Sequence, residues 1–215
     1  MKIYLSITLL VVLSNLSYAD DFAETLKLAE QGDADAQASI GFMYAAGLWV
    51  PENDKTAVMW YAKAAEQGHA EAQSNLGWMY DNGEGVPEDD KTAVMWYTKA
   101  AEQGRVTAQY NLGHMYANGK GVPENDKTAV MWYTKAAKQG DADAQADLGR
   151  MYIMGEGATE SVVMAYVWLA MAKIEGHDIA PQLIVMLKEL MTKEQIAKAQ
   201  ELAAKCYESD YKDCN

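Results

Sequence analysis

The sequence predicts an all-α solenoid, a row of stacked helix–turn–helix units, and three observations carry that expectation. The stretch from Asp33 to Gly68 is repeated almost letter for letter at His69 to Gly104 and at Arg105 to Gly140, with a looser copy at Asp141 to Gly176. Marker residues keep step at intervals of 36: Gly41, Gly77, Gly113 and Gly149 form one series, and Trp60, Trp96, Trp132 and Trp168 another. Each copy also holds two stretches of helical hydrophobic period separated by a glycine-rich turn. A fixed period of this size means repeated supersecondary units that each touch mainly their neighbours, so chain length says little about domain number.

The chain opens differently. Met1 to Ala19 contains one lysine, Lys2, an apolar run from Ile3 to Leu13, and the small and polar ending Ser17-Tyr18-Ala19. This pattern predicts a secretory signal peptide over residues 1–19, because the apolar run is far short of the roughly 20 residues a membrane span needs. No cysteine follows the run, so a lipid anchor there is not supported. Residues 20–32 follow, and Phe22 to Gln31 reads as a lone helix, a half-repeat that caps the open start of the stack.

In the second copy, Ala72, Gln73, Leu76, Gly77, Met79 and Tyr80 share one side of a helix over Glu71 to Asn82, here termed the A helix. Asn82-Gly83 ends it through a left-handed glycine, and Gly85-Val86-Pro87 makes the connection. Asp90, like Asp54 and Asp126, is placed to cap a B helix over Lys91 to Gln103, with Ala93, Trp96, Tyr97 and Ala100 on one face. Methionines and aromatics at this spacing are core. Two departures stand out: Trp49 replaces the loop glycine in copy one, and Val162 occupies the presumed cap in copy four, leaving Ser161 as the substitute. Beyond Gly176, residues 177–215 predict two further helices, Ala180 to Met191 and one that starts at Thr192 with a Gln195 capping box and ends near Tyr207. These form the C-terminal cap that a solenoid needs.

The unit A-x-A-Q-x-x-L-G-x-M-Y-x-x-G-x-G-V-P-E-x-D-K-T-A-V-x-W-Y-x-K-A-A-x-Q-G resembles the Sel1-like repeat, a relative of the tetratricopeptide repeat, and the resemblance covers nearly all of the chain after residue 19. It implies a right-handed superhelix of antiparallel helix pairs with the A helices lining the concave side. Family members are mostly adaptors or scaffolds, and several exported bacterial ones act in regulation, host interaction or toxin immunity.

Composition narrows the partner. Removal of the leader takes Lys2 away and leaves 17 basic residues against 31 acidic ones, a formal charge of −14. A nucleic-acid partner is disfavoured, since phosphate binding needs a basic surface; a basic protein or peptide is compatible with this charge. No stable membrane insertion is expected after cleavage. Cys206 and Cys214 are the only cysteines, and an even pair in an exported chain predicts one disulfide, contributing about 2 to 3 kcal/mol.

Copies two and three differ at nine of 36 positions, six of them in or at the entry of the A helix. Across all copies one variable column reads Phe42, Trp78, His114 and Arg150. It is flanked by Ala38, Ser74, Tyr110 and Ala146 and by Ser39, Asn75, Asn111 and Asp147. These share the stripe opposite the Leu76-Gly77-Tyr80 side, and under the resemblance that stripe faces the groove. The expected partner-binding residues are therefore Ser39, Phe42, Ser74, Asn75, Trp78, Tyr110, Asn111, His114, Asp147 and Arg150.

Catalytic and metal motifs are absent from the sequence: there is no His-Glu-x-x-His, no Gly-x-Ser-x-Gly, no phosphate loop and no paired-cysteine metal site. His69, His114 and His177 read as surface or partly packed side chains, and no cofactor is implied. The expected function is a periplasmic or secreted protein-binding scaffold, with an immunity protein against an antibacterial effector and a periplasmic regulator as its two versions. The alternatives are an enzyme acting on β-lactams or cell-wall peptides, or a purely structural spacer.

Overall fold

The computed structural model describes residues 21–214, so the expected leader lies outside the described residues. All regular structure among them is helical. Residues 21–30 form α1. The A helices are α2 (Ala34–Ala46), α4 (Ala70–Asn82), α6 (Val106–Asn118) and α8 (Ala142–Met154), and the B helices are α3 (Asp54–Glu66), α5 (Asp90–Glu102), α7 (Asp126–Ala137) and α9 (Val162–Ile174). Two more, α10 (Ala180–Leu190) and α11 (Lys193–Glu208), follow. Contacts divide the chain into two compact units, one through Lys99 and one from Ala100.

Helix ends follow from local chemistry. Gly47, Gly83, Gly119 and Gly155 all close A helices in the left-handed conformation. The B-helix caps correct the sequence expectation by one residue. Asn53 and Asn125 accept from the amides of Thr56 and Thr128, and Asp89 accepts from Lys91 and Thr92. Asp54, Asp90 and Asp126 are instead the first helical residues, where a carboxylate favours the positive end of the helix dipole. Ser161 accepts from the Met164 amide and therefore stands in the regular capping column, so Val162 breaks no rule.

In the first unit, Ala29 of α1 is buried with Ala36, Ile40, Met43 and Trp60, so the half-helix covers the end of the first pair. Tyr61, Ala64 and Ala65 then pack with Ala72, Leu76 and Met79 of the following A helix. Close approach within each pair requires glycine. A Cβ on Gly41 or Gly77 would lie 2.7 or 2.8 Å from the Cδ1 atom of Tyr61 or Tyr97. In the second unit the matching distances are 2.8 Å from Gly113 to Tyr133 and 2.8 Å from Gly149 to Leu169. Lys63, Lys99 and Lys135 lie 4.0 to 4.1 Å above the rings of Trp60, Trp96 and Trp132, one helical turn away. Each such cation–π contact adds about 0.5 to 1 kcal/mol.

Each A helix also carries a buried glutamine that reaches the previous helix. Gln37 and Gln73 donate to the carbonyls of Ala29 and Ala65 at 3.0 Å. Gln109 and Gln145 donate to those of Ala101 and Ala137 at 3.1 and 3.0 Å. Gln67 and Gln139 at the ends of B helices donate in turn to Gln37 and Gln109. In the fourth pair this column holds Glu175, which has no amide to donate and accepts instead from the Tyr211 hydroxyl. The ladder thus stops where the C-terminal segment begins.

That segment explains why α9 is apolar nearly all round: Tyr166, Val167, Trp168 and Leu169 are all buried, in one cluster with Ile184 and Leu187 of α10 and Ala199, Ala203 and Cys206 of α11. Thr192 and Gln195 form the expected capping box. Cys206 and Cys214 are joined, holding the tail so that Tyr211 is buried.

Four outcomes follow from this packing. Gly77→Ala is expected to lower stability by about 1 to 3 kcal/mol, because the displaced Tyr97 ring outweighs the helix-propensity gain of about 1 kcal/mol; a raised melting temperature would contradict the close-approach argument. Ser161→Ala should destabilise by about 0.5 to 2 kcal/mol in urea unfolding. Burial holds the Tyr61 hydroxyl, and burial followed by Glu175 the Tyr211 hydroxyl, up to about 12 from 10.0. A phenol held neutral in the fold stabilises below its unfolded pKa, so stability should be level up to pH 10.0 and fall between there and about 12. Finally, the intact mass should rise by two hydrogens on reduction.

Candidate functional site

The variable positions of the A helices divide into those that reach solvent and those that do not. Phe42 and Trp78 in the first unit are 53% and 44% exposed, large values for aromatics. Ser39 is exposed, its hydroxyl bonded to the Asp35 carbonyl. Ser74 contradicts the expectation: it is 5% exposed, as buried as Ala38 and Ala146 in the same column. Ala38 shares a cluster with Tyr61, so this column turns toward the B helix of its own pair and admits small side chains. Tyr110, the large exception, is half-buried with its ring 5.7 Å from that of Tyr133. The exposed stripe is therefore narrower than the spacing implies.

The third column is half-buried at Asn75, Asn111 and Asp147. Asn75 borders the same pocket as Tyr61, whose hydroxyl burial keeps protonated. It therefore lies against the preceding repeat as well as bordering the face.

In the first unit these side chains enclose two adjoining pockets that share Phe42 and Asn75. One, of about 330 Å³, is bordered by Asp35, Phe42, Leu48, Trp49, His69 and Glu71. The other, of about 200 Å³, lies among Phe42, Tyr61, Asn75, Trp78 and Glu84. Aromatic walls with a few polar groups at the rim are the usual construction of a binding site. Trp49, Leu48, Asp35 and Glu71 were not among the expected groove residues; the replacement of a repeat glycine by tryptophan is the signal in the sequence that points to the first of them.

The second unit presents different chemistry. Arg150 lies 3.5 Å from Asp147 and 3.4 Å from Glu156, and His114 is exposed one repeat earlier on α6. Burial and then the Asp147 carboxylate push the Tyr110 hydroxyl up, so it remains a hydrogen-bond donor at neutral pH. The first unit thus offers apolar cavities, and the second a network of charged and hydroxyl groups.

Two of the three histidines have structural roles. His69 and His177 stand three repeats apart, and each accepts a backbone N–H at Nδ1, from Ala72 at 3.1 Å and Ala180 at 3.2 Å. Acceptance at Nδ1 leaves the proton on Nε2, which faces Asp35 at 3.3 Å in one case and Asp143 at 3.6 Å in the other. No group of three or more His, Cys, Asp or Glu among the described residues could hold a metal ion. No helix among them is long and apolar enough to cross a membrane.

Comparison with known proteins agrees with this architecture. The chain is similar to a Sel1 repeat protein from Oxalobacter formigenes, with 31% identity over 90% of this chain and 81% of that one, and a TM-score of 0.72. It is similar to c5321, a protective antigen present in uropathogenic Escherichia coli strains, with 30% identity, 88% of this chain, 48% of that chain and a TM-score of 0.56. A Sel1 repeat protein from Klebsiella pneumoniae shares the fold at 24% identity and a TM-score of 0.51, over 82% of this chain and 88% of that one. No functionally curated protein matches the chain. The family profile described as Sel1 repeat matches residues 34–69, 70–104, 106–141 and 142–177. Sel1 repeat proteins commonly serve as protein-interaction scaffolds, and the fold is generally non-enzymatic. With four matches spanning most of its length, the chain belongs to the Sel1 repeat family.

Proposed function

We propose that this chain is an exported, non-enzymatic scaffold that binds a partner protein or peptide through the exposed stripe of its A helices. The observation that carries the reading is the coincidence of sequence variation with exposure: copies that keep their glycine, alanine and glutamine markers in step place Phe42, Trp78, His114 and Arg150 at one exposed position. Aromatic residues and arginine are the side chains that dominate binding energy at protein interfaces. By contrast, exposed B-helix positions such as Lys55, Lys91 and Lys127 are identical, so exposure alone does not account for the variation.

Export is supported by the leader pattern of residues 1–19 and by the Cys206–Cys214 disulfide, which persists in oxidising compartments such as the periplasm or the cell exterior. The proposed organisation is a capping half-repeat at 20–32, repeats at 33–68, 69–104, 105–140 and 141–176, and a capping segment at 177–215. An acidic exported scaffold suits a basic partner, and neutralisation of an antibacterial effector and periplasmic regulation both fall within this reading. The protective-antigen character of the Escherichia coli relative is in keeping with an exported role.

Two double variants test the reading, Phe42→Ala/Trp78→Ala in the first unit and His114→Ala/Arg150→Ala in the second. Partner capture from periplasmic and culture extracts, identified by mass spectrometry, should be lost or cut by about tenfold or more for at least one of them while far-ultraviolet dichroism stays native. Equal recovery by wild type and both variants would refute it.

A further inference from the structure

The larger first-unit pocket contains a residue that its repeat position does not ordinarily admit. Trp49 occupies the place of Gly85, Gly121 and Gly157 in the other repeats and keeps their left-handed backbone, at φ 63°. A bulky side chain at positive φ is a strained arrangement that persists where its surroundings hold it, and such residues gather at functional sites. The neighbouring repeats show why glycine is the rule: a Cβ on Gly85 would lie 2.5 Å from the Asp54 carbonyl, and one on Gly157 2.3 Å from that of Asp126.

The indole that takes this place is 52% exposed and borders the pocket together with Phe42 and Leu48. Around the same opening stand Asp35 and Glu71, and the adjoining pocket adds Glu84; neither pocket has a lysine or arginine in its lining. His69 points Nε2 at Asp35 from 3.3 Å, which fixes the imidazole at the pocket edge. Two aromatic surfaces with carboxylates at the rim are complementary to a flat cation with an apolar stem. Guanidinium meets that description better than an ammonium, since it stacks on aromatic faces and presents paired N–H donors to carboxylates.

We infer that the Trp49 pocket is a subsite for an arginine side chain of a basic partner protein, with the guanidinium against Trp49 and Phe42 and its donors directed to Asp35 and Glu71. This rests on the scaffold reading above and names the partner chemistry its first unit would select. Arginine is thereby the anchoring residue of the partner.

The test uses the full chain with ¹⁵N-labelled tryptophan and the peptide Ac-Gly-Arg-Gly-amide, its neutral citrulline isostere, and its lysine analogue. Six indole cross-peaks are available, and the Trp49→Gly spectrum assigns the relevant one. Glycine is native to this position in other repeats, so that variant should melt no lower than wild type. The arginine peptide is expected to shift the Trp49 indole saturably, with affinity at least about tenfold above the citrulline peptide and above the lysine peptide. Asp35→Asn/Glu71→Gln should reduce affinity by a similar factor, and in Trp49→Gly the remaining indole signals should not move. Equal responses to arginine and citrulline, or an arginine response unchanged in both variants, would overturn the subsite. Partner capture by the wild-type chain reads the scaffold function separately: capture that survives Trp49→Gly alongside a failed peptide titration removes the arginine pocket alone. Capture unaffected by the A-helix double variants removes the scaffold reading while the titration still decides the pocket.

Discussion

The buried glutamine of each A helix is the interaction on which the stacking depends. The last carbonyls of a helix have lost their usual partners four residues on, and those buried against the next unit depend on donors from the closing turn and from neighbouring side chains. Gln37, Gln73, Gln109 and Gln145 supply a second donor to one carbonyl each near the end of α1 or of a B helix, beside the amide of the glycine that closes that helix and at a place closed to water. Because the bond needs one geometry, it also sets the register between one helix and the next. Alanines beside it, such as Ala64, Ala65 and Ala72, then let the helices approach closely enough to bury the methionine and tyrosine side chains.

Most of the architecture is legible in the sequence because period and punctuation agree. The glycine at each A-helix end, the capping box at Thr192 and the apolar faces each point to a helix boundary by an independent physical rule, and the helices lie where those rules meet. The B-helix cap was displaced by one residue because Asp54, Asn53 and their counterparts are both good caps, and period alone cannot choose between adjacent polar residues. Choosing Asn53, Asp89 and Asn125 requires seeing which side chain reaches the downstream amides, whereas Val162 leaves Ser161 as the choice in the fourth copy. The glutamine ladder was likewise beyond the sequence: Gln73 is visible as part of one helix side, but its acceptor belongs to another helix.

The candidate face was legible in part. Phe42, Trp78, His114 and Arg150 all reach solvent, as a shared column requires. Ser74 does not, because helical spacing gives an angle around one helix and says nothing of how far the neighbouring helix wraps over it. Asn75 shows a further limit, since a position bordering the face also lines a pocket with Tyr61 of the preceding repeat. Leu48 and Trp49 lie in a turn, where no periodicity assigns them to a face, and only the structure brings them to Phe42. The constant letters therefore build the stack, while the varied letters and the one aberrant turn shape its surface.

That separation is tested most directly within a single helix, by urea unfolding of two variants of α6. Gln109→Met removes two hydrogen bonds, the one donated to the Ala101 carbonyl and the one accepted from the Gln139 amide, each worth about 0.5 to 1.5 kcal/mol, and should lower the unfolding free energy by about 1 to 3 kcal/mol. His114→Ala, five residues along the same helix, should change it by less than about 0.5 kcal/mol. Equal costs for the two, or a larger one for His114→Ala, would contradict the assignment of constant positions to stacking and varied positions to the surface.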